Sequence, residues 1–338
     1  MDSTISANVW LCIGLAACLA ASGYAEDCSP KLVSVDKIWD AAPHNAFTDL
    51  VRFQDQWFCT FREGERHVYG EDGRIRIIVS RDGEHWTPAA LLAEEGVDLR
   101  DPKLSIMPDG RLMILAGGSV YEGETYMGRQ PRVAFSKDGH DWGPLHRILG
   151  EGEWLWRVTW HKGKGYGVTR MLTITDGKKH TDVRLVVTTD GLAYEEITGW
   201  DIHDRPNETT LRFIGDDEMM AMVRREEGDH TGWLGTSKPP YTDWDWHQTE
   251  HRFGGPNFIQ LPDGSLWGAS RYYPGGAKTV LARMTPTSYE PVLTLPSGGD
   301  TSYPGLVWHD DLLWMSYYAS HEEKTSIYLA KISIPLSK

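Results

Sequence analysis

Six short stretches of this 338-residue chain stand at the head of apolar segments, and five of them carry charged or aromatic residues where a strand that only packs needs neither. They are His44 to Asp49, Arg100-Asp101, Trp156-Arg157, Asn207-Glu208, Gly255 to Asn257 and Ser302-Tyr303. His44 reads either as an acid/base group or as a hydrogen-bonded loop histidine, since imidazole titrates near neutral pH. Arg100-Asp101 reads either as a pair gripping ligand hydroxyls or as a salt bridge between structural units. Arg157, between Trp156 and Trp160, either stacks on a ring-shaped ligand or lies along aromatic surface. The same choice applies to Arg271-Tyr272-Tyr273.

These stretches need a frame that brings them together, and the chain repeats itself in a way that supplies one. Ser80-Arg81-Asp82-Gly83-Glu84-His85-Trp86 recurs as Ser136-Lys137-Asp138-Gly139-His140-Asp141-Trp142 and, weakened, as Thr188-Thr189-Asp190-Gly191-Leu192-Ala193-Tyr194. Each copy follows a strand-like run (RIRIIV, PRVAF, VRLVV), so the unit is a strand, a tight Asp-Gly turn and an aromatic folding back. A degenerate fourth copy spans Thr236 to Trp244. A second phrase, apolar strand then turn then apolar strand, begins at Asp49, Pro102, Arg157, Thr209, Pro256 and Pro304. Six hairpins about 50 residues apart, each in a unit of about four strands, are the signature of propeller blades. The expected fold is all-β, a six-bladed β-propeller of four-stranded antiparallel blades over residues 30–336. In it the hairpin heads converge at one end of the central channel.

Composition narrows the partners. Thirty-four Lys+Arg against 48 Asp+Glu leave a formal charge of −14, which argues against nucleic acid, whose phosphates require a basic surface. Fifteen Trp, 14 Tyr and 35 Gly suit strands and tight turns rather than helices. Residues 1–25 read as an export signal, with an apolar run from Val9 to Ala21 too short for a membrane span. Leu15-Ala16-Ala17-Cys18 also fits a lipoprotein signal, which would put a lipid anchor on Cys18. Export implies a periplasmic, cell-surface or secreted protein with no transmembrane span in the mature chain. In an oxidising compartment Cys28 and Cys59 are available to pair. No Cys/His set has zinc spacing and no glycine-rich phosphate loop precedes a helix, so neither a zinc site nor a nucleotide cofactor is expected, and the sequence leaves open whether a metal ion sits in the channel.

The Ser-x-Asp-Gly-x-x-Trp turns resemble the Asp-box repeats (BNR repeats) of the sialidase superfamily, and two further stretches resemble its site motifs. Asn207-Glu208-Thr209-Thr210-Leu211 through Arg224 is similar to the blade carrying the family's catalytic Glu and a substrate-binding Arg. Ser302-Tyr303-Pro304-Gly305-Leu306 through Tyr317 is similar to the blade carrying its tyrosine nucleophile. The resemblance implies that Glu208 takes the phenol proton while Tyr303 attacks an anomeric carbon, a base being needed because a free phenol titrates near ~10. Arg62 and Glu63, in Phe61 to His67, are placed like the family's second strand and acid-bearing loop. They leave Glu63, Glu65, Glu71, Asp72 or His67 as general acid, with His44 and Asp49 as further catalytic candidates. The matching positions of the family's first arginine are Ala46, Phe47 and Thr48, so the carboxylate-binding triad is incomplete. Arg224 remains, with Arg271 or Lys278 near the third position.

The resemblance therefore implies an exported exo-acting glycoside hydrolase that removes a terminal, acidic or uronate-linked sugar from a glycan and is not a true sialidase. Arg62, Arg100, Asp101, Arg157, Arg224 and Arg271 are the expected substrate contacts. The rival readings are a propeller lyase or histidine-dependent glycosidase centred on His44 or His67, and a glycan-binding propeller without catalysis.

Overall fold

Several of the middle strands are apolar at most positions, which in a strand means that both faces are covered. In Leu112–Glu122, Leu112, Ile114 and Ala116 join one buried cluster while Met113 and Leu115 join another. Glu218–Arg225 and Leu312–Ala319 divide their side chains in the same way. Six apolar clusters result, each filling the seam between two neighbouring sheets.

The computed structural model describes Met1, residues 29–176 and residues 178–336. The proposed export signal, Cys18 and Cys28 lie outside these residues. Six four-stranded antiparallel sheets form a six-bladed β-propeller, as the repeats imply. Blades 1 to 5 are residues 44–92, 98–147, 153–200, 206–252 and 257–294, each with its strands in sequential order. Blade 6 takes three strands from 301–333 and its outermost strand from the beginning of the domain. There Lys31–Trp39 pairs with Ser326–Ser333 (Val35 opposite Ala330) and closes the ring. Among the described residues no helix is long and apolar enough to cross a membrane. Cys59 is a free, fully buried thiol in the seam between blades 6 and 1.

The Asp-Gly turns share one construction. The Gly83 N–H donates to Ser80 Oγ (2.8 Å), the Glu84 and His85 N–H groups donate to Asp82 Oδ1, and Trp86 Nε1 donates to the Gly83 carbonyl. Ser136, Asp138, Gly139 and Trp142 repeat these bonds, and Thr188, Asp190 and Gly191 repeat those made by hydroxyl and carboxylate. Each glycine takes a left-handed φ (75°, 80° and 78°) and packs against the preceding blade. A Cβ on Gly139 would sit 2.3 Å from the Phe58 ring, and one on Gly83 would sit 2.4 Å from Trp314. The turns are therefore staples between blades. In the degenerate copy Tyr241 (φ 69°) stands where the glycines do, and its carbonyl accepts the Trp244 indole N–H. Trp86 and Trp142 are half-buried, lying along their turns rather than sunk beneath them.

Candidate active site at the channel mouth

One irregularity recurs in the innermost strand of the blades and builds the site. In blade 1, Ala46 pairs with Arg62 and Asp49 with Thr60, so the inner strand spends three steps where its partner spends two. The same extra residue occurs between Arg100 and Lys103, Leu155 and Val158, Pro206 and Thr209, and Ser302 and Gly305. A bulge re-aims its side chain out of the ladder. Here the bulged pairs are Phe47-Thr48, Asp101-Pro102, Trp156-Arg157, Asn207-Glu208 and Tyr303-Pro304, with Gly255-Pro256 just before the inner strand of blade 5. Phe47, Asp101, Gly255 and Tyr303 have φ of 66°, 51°, 61° and 54°, a conformation that non-glycine residues hold only when their surroundings impose it.

Above the bulges lies a cleft of about 420 Å³, lined among others by Phe47, His67, Asp101, Glu208, Arg224 and Tyr303. At its base the Tyr303 hydroxyl donates to Glu208 Oε1, joining two residues 95 apart in sequence. Glu208 Oε2 accepts from Arg224 Nη1 (2.6 Å) and from the Gly255 N–H (2.8 Å). Position 255 requires glycine twice over: its φ is left-handed, and a Cβ would fall 2.3 Å from the Tyr303 ring. Burial alone would raise Glu208, but the Arg224 charge, its hydrogen bond and the Tyr303 hydroxyl outweigh burial and hold the carboxyl below its usual range. Burial and the Glu208 charge push the Tyr303 phenol well above its ordinary value, against the pull of Arg224. At neutral pH the pair is therefore a carboxylate holding a neutral phenol. Arg224 also reaches Tyr303 Oη (3.3 Å) and pairs with Glu226 (2.8 Å), which Asn207 and Arg252 hold as well.

Three carboxylates line this cleft, and Asp101 differs from Glu208 and Glu226. It accepts no hydrogen bond from any described residue, and burial raises its pKa against the attraction of Arg100 and Lys103. Arg100 lies over the Phe47 ring, 5.3 Å from its centroid, and donates to the His67 carbonyl. Beneath, the Lys103 ammonium is buried 4.5 Å from the Trp156 ring centroid and donates to the Thr48 and Pro102 carbonyls, with burial lowering it to about 8.

On the blade 6 side Asp300 is the hub. His67 Nδ1 lies 2.6 Å and His44 Nε2 3.2 Å from its Oδ2, while Arg271 and the Tyr318 hydroxyl donate to its Oδ1. The ligand atoms of His44, His67 and Asp300 lie within 4.8 Å of one another and could meet on a cation. Arg271 already supplies positive charge there. Burial would raise Asp300, but the two histidines and Arg271 hold it far below the usual carboxylate range.

Other sequence candidates are placed elsewhere. Asp49 and Arg157 form a bidentate pair (2.8 and 3.0 Å) at a separate cavity of about 290 Å³, and Asp49 also caps the Leu104 N–H. Neither lines the mouth: Asp49 stands just past the bulged pair of its strand, and Arg157, the second residue of its own pair, turns to meet it. Glu63, proposed as an acid, is 3% exposed and spent on Trp39 Nε1 and a bidentate Arg76. Arg62 is buried against Asp98 and the Arg66 carbonyl, so it is a strut and not a substrate contact. Glu65, Glu71 and Asp72 do not line the cleft. Burial drives His44 below its ordinary pKa, and it does not reach the cleft wall.

The cleft also uses residues that the strand heads could not reveal: Ser119, Tyr121, Tyr126, Arg129, Trp154 and Arg170. Most of them stand on second and third strands, which run back up to the same mouth; Arg170 is directly opposite Trp154. A reading that followed each hairpin back from its turn would have found Arg170 as it found Arg224.

No protein-family model matches the chain, and no curated protein is detectably similar in sequence. Among solved structures, a protein of unknown function from Dyadobacter fermentans superposes with a TM-score of 0.78 at 16% identity, covering 91% of this chain and 100% of that one. An α-L-arabinofuranosidase from Fusarium graminearum, solved with an iminosugar inhibitor, gives 0.67 at 14% identity over 89% and 98%. The Trypanosoma rangeli sialidase gives 0.65 at 12% over 89% of this chain and 58% of that one. At these identities the likeness establishes the six-bladed fold alone.

Proposed function

We propose that this chain is an exo-acting, retaining glycoside hydrolase whose nucleophile is Tyr303. The observation that carries the reading is the Tyr303–Glu208 hydrogen bond inside a cleft of sugar size. As the phenol oxygen bonds to the anomeric carbon, Glu208 takes its proton and Arg224 offsets the charge left on the pair. Asp101 delivers a proton to the departing glycosidic oxygen; with no ion-pair partner among the described residues and a raised pKa, it is the cleft carboxyl best suited to hold one. In the second half-reaction Asp101 takes a proton from water, the water oxygen replaces the phenolate at the anomeric carbon, and Glu208 returns the proton to Tyr303. Fold neighbours that act on arabinosides and sialosides support a glycan substrate. Sialosides fit poorly, because Phe47 replaces one arginine and Asp300 occupies Arg271. The reading includes export, resting on the apolar run at residues 9–21, with lipidation at Cys18 as one form of it.

The test is a panel of aryl glycosides and plant, algal and mucosal glycans, with the product anomer followed by NMR. Retention, and labelling of Tyr303 by a 2-fluoro glycoside, are the expected results. Inversion, an unsaturated elimination product or labelling at another residue would overturn the mechanism.

A further inference from the structure

The charges of the cleft are unevenly matched. Arg224 has Glu208 and Glu226, Arg271 has Asp300, and Arg100 lies near Asp98 and Asp101. On the wall made by blades 2 and 3 this matching stops. Among the described residues the Arg129 guanidinium donates only to the Gly152 carbonyl, and it lies 5.5 Å above the Trp154 ring centroid. Arg170 has no hydrogen-bond partner among the described residues, and its Nε is buried. The acids that act on it are Glu208 and Glu226, both already held by Arg224, while Arg129 and Arg205 repel it. Arg205 is paired with Glu227, and Glu151, an exposed residue, stands beside Gly128 and Tyr126. Burial pulls Arg170 down to about 9, so it remains a cation at neutral pH, held at a cost that a counter-anion would relieve.

The wall is built to present these groups. Gly117 lets Trp154 lie across the seam between blades, since a Cβ there would stand 2.1 Å from the indole. The long hairpin of blade 2 raises Tyr121 and the half-exposed Tyr126 beside them, with rings 5.9 Å apart. Aromatic faces beside unspent guanidinium donors match a sugar ring that carries an oxyanion.

Resting on the glycosidase reading, we propose that Arg129 and Arg170 form an anion subsite for a carboxylate or sulfate ester on the sugar adjoining the cleaved bond, with Tyr126 supporting the ring. The substrate is then an acidic glycan whose charge lies on the leaving-group side, away from the Arg271–Asp300 side.

The probes are sodium glucuronate and sodium sulfate, with glucose and sodium chloride as controls at matched ionic strength, read by tryptophan fluorescence and melting temperature on the full chain. Saturable binding of at least one anion by the wild type is expected, weakened at least about tenfold in Arg170→Met and in Arg129→Met and partly retained in Arg170→Lys. Response to glucuronate identifies a sugar carboxylate, and response to sulfate alone identifies a sulfate ester. Without added anion, Arg170→Met should melt no lower than the wild type, because it removes an unmatched cation; a purely structural arginine would lower it. No saturable response to either anion, or equal responses in wild type and both Met variants, overturns the subsite. Tyr303→Phe separates the two proposals. Anion binding retained in a variant that still hydrolyses glycosides would sink the nucleophile and leave the subsite standing.

Discussion

Two positions recur around this ring, and they repeat in opposite ways. The outer Asp-Gly turns repeat in sequence and in backbone: Ser or Thr, Asp and a left-handed Gly make the same bonds in three blades, and the glycine meets the preceding blade's core. The inner-strand bulges repeat in backbone only, carrying Phe47, Asp101, Trp156, Asn207 and Tyr303 in the same setting. A turn that must close a seam accepts few side chains, since its hydrogen bonds and its contact distance are fixed. A bulge that opens onto a cleft accepts many. The identical repeat therefore holds the ring together, and the divergent repeat is where chemistry is placed.

If the comparison is right, substitutions at the bulges should change rate and leave stability alone, while those at the turns should do the reverse. The largest effect is expected at the Tyr303–Glu208 pair. Tyr303→Phe should lower turnover by more than the ~10²–10⁴-fold usual for acid–base groups. Glu208→Gln should fall nearly as far, and the double variant little further, because the two act as one unit. Thermal unfolding of Tyr303→Phe close to wild type completes the expectation; a large drop would mean that the bulge is structural as well.

Asp101→Asn comes next, with a loss of ~10²–10⁴-fold on poor leaving groups that activated aryl glycosides largely restore. Its pH signature is specific. Asp101 must be protonated to act and its pKa is raised, so the rate should fall as pH climbs through that raised value. Glu208 must be ionised and its pKa is lowered, so the acid limb should lie below the ordinary Glu range. In Asp101→Asn the alkaline limb should vanish. A limb that persists would return the acid role to His67.

At the turns the expected losses are of stability. Gly139→Ala forces a left-handed alanine and a contact with Phe58, together about 2–4 kcal/mol, seen as a lower Tm with an unchanged pH–rate profile. Smallest is Ser136→Ala, about 1–2 kcal/mol, from leaving the buried Gly139 N–H without its acceptor. A shifted pH profile in either variant would break the division between the two regions.

The architecture was legible because its signals are local. Alternating apolar residues, Asp-Gly turns and a repeat about 50 residues long need no knowledge of distant contacts, and they implied the six blades that the sheets form. The hairpin heads also pointed to Glu208, Tyr303 and Asp101, and the family resemblance to Arg224. The heads pointed equally to Asp49 and Arg157, and the resemblance to Glu63, which the ring turns toward one another or into a blade. Nothing in the local pattern separates these groups, because one step along a bulged strand decides whether a carboxylate meets the cleft or a buried guanidinium. Arg129 and Arg170 escaped notice for the complementary reason: they lie on later strands that return to the mouth only once the blades are stacked. What the sequence by itself determined is the blade, through short-range periodicity and turn chemistry. Only ring closure decided which side chains meet, because it joins residues as far apart as Glu208 and Tyr303 and leaves one wall of cations unmatched.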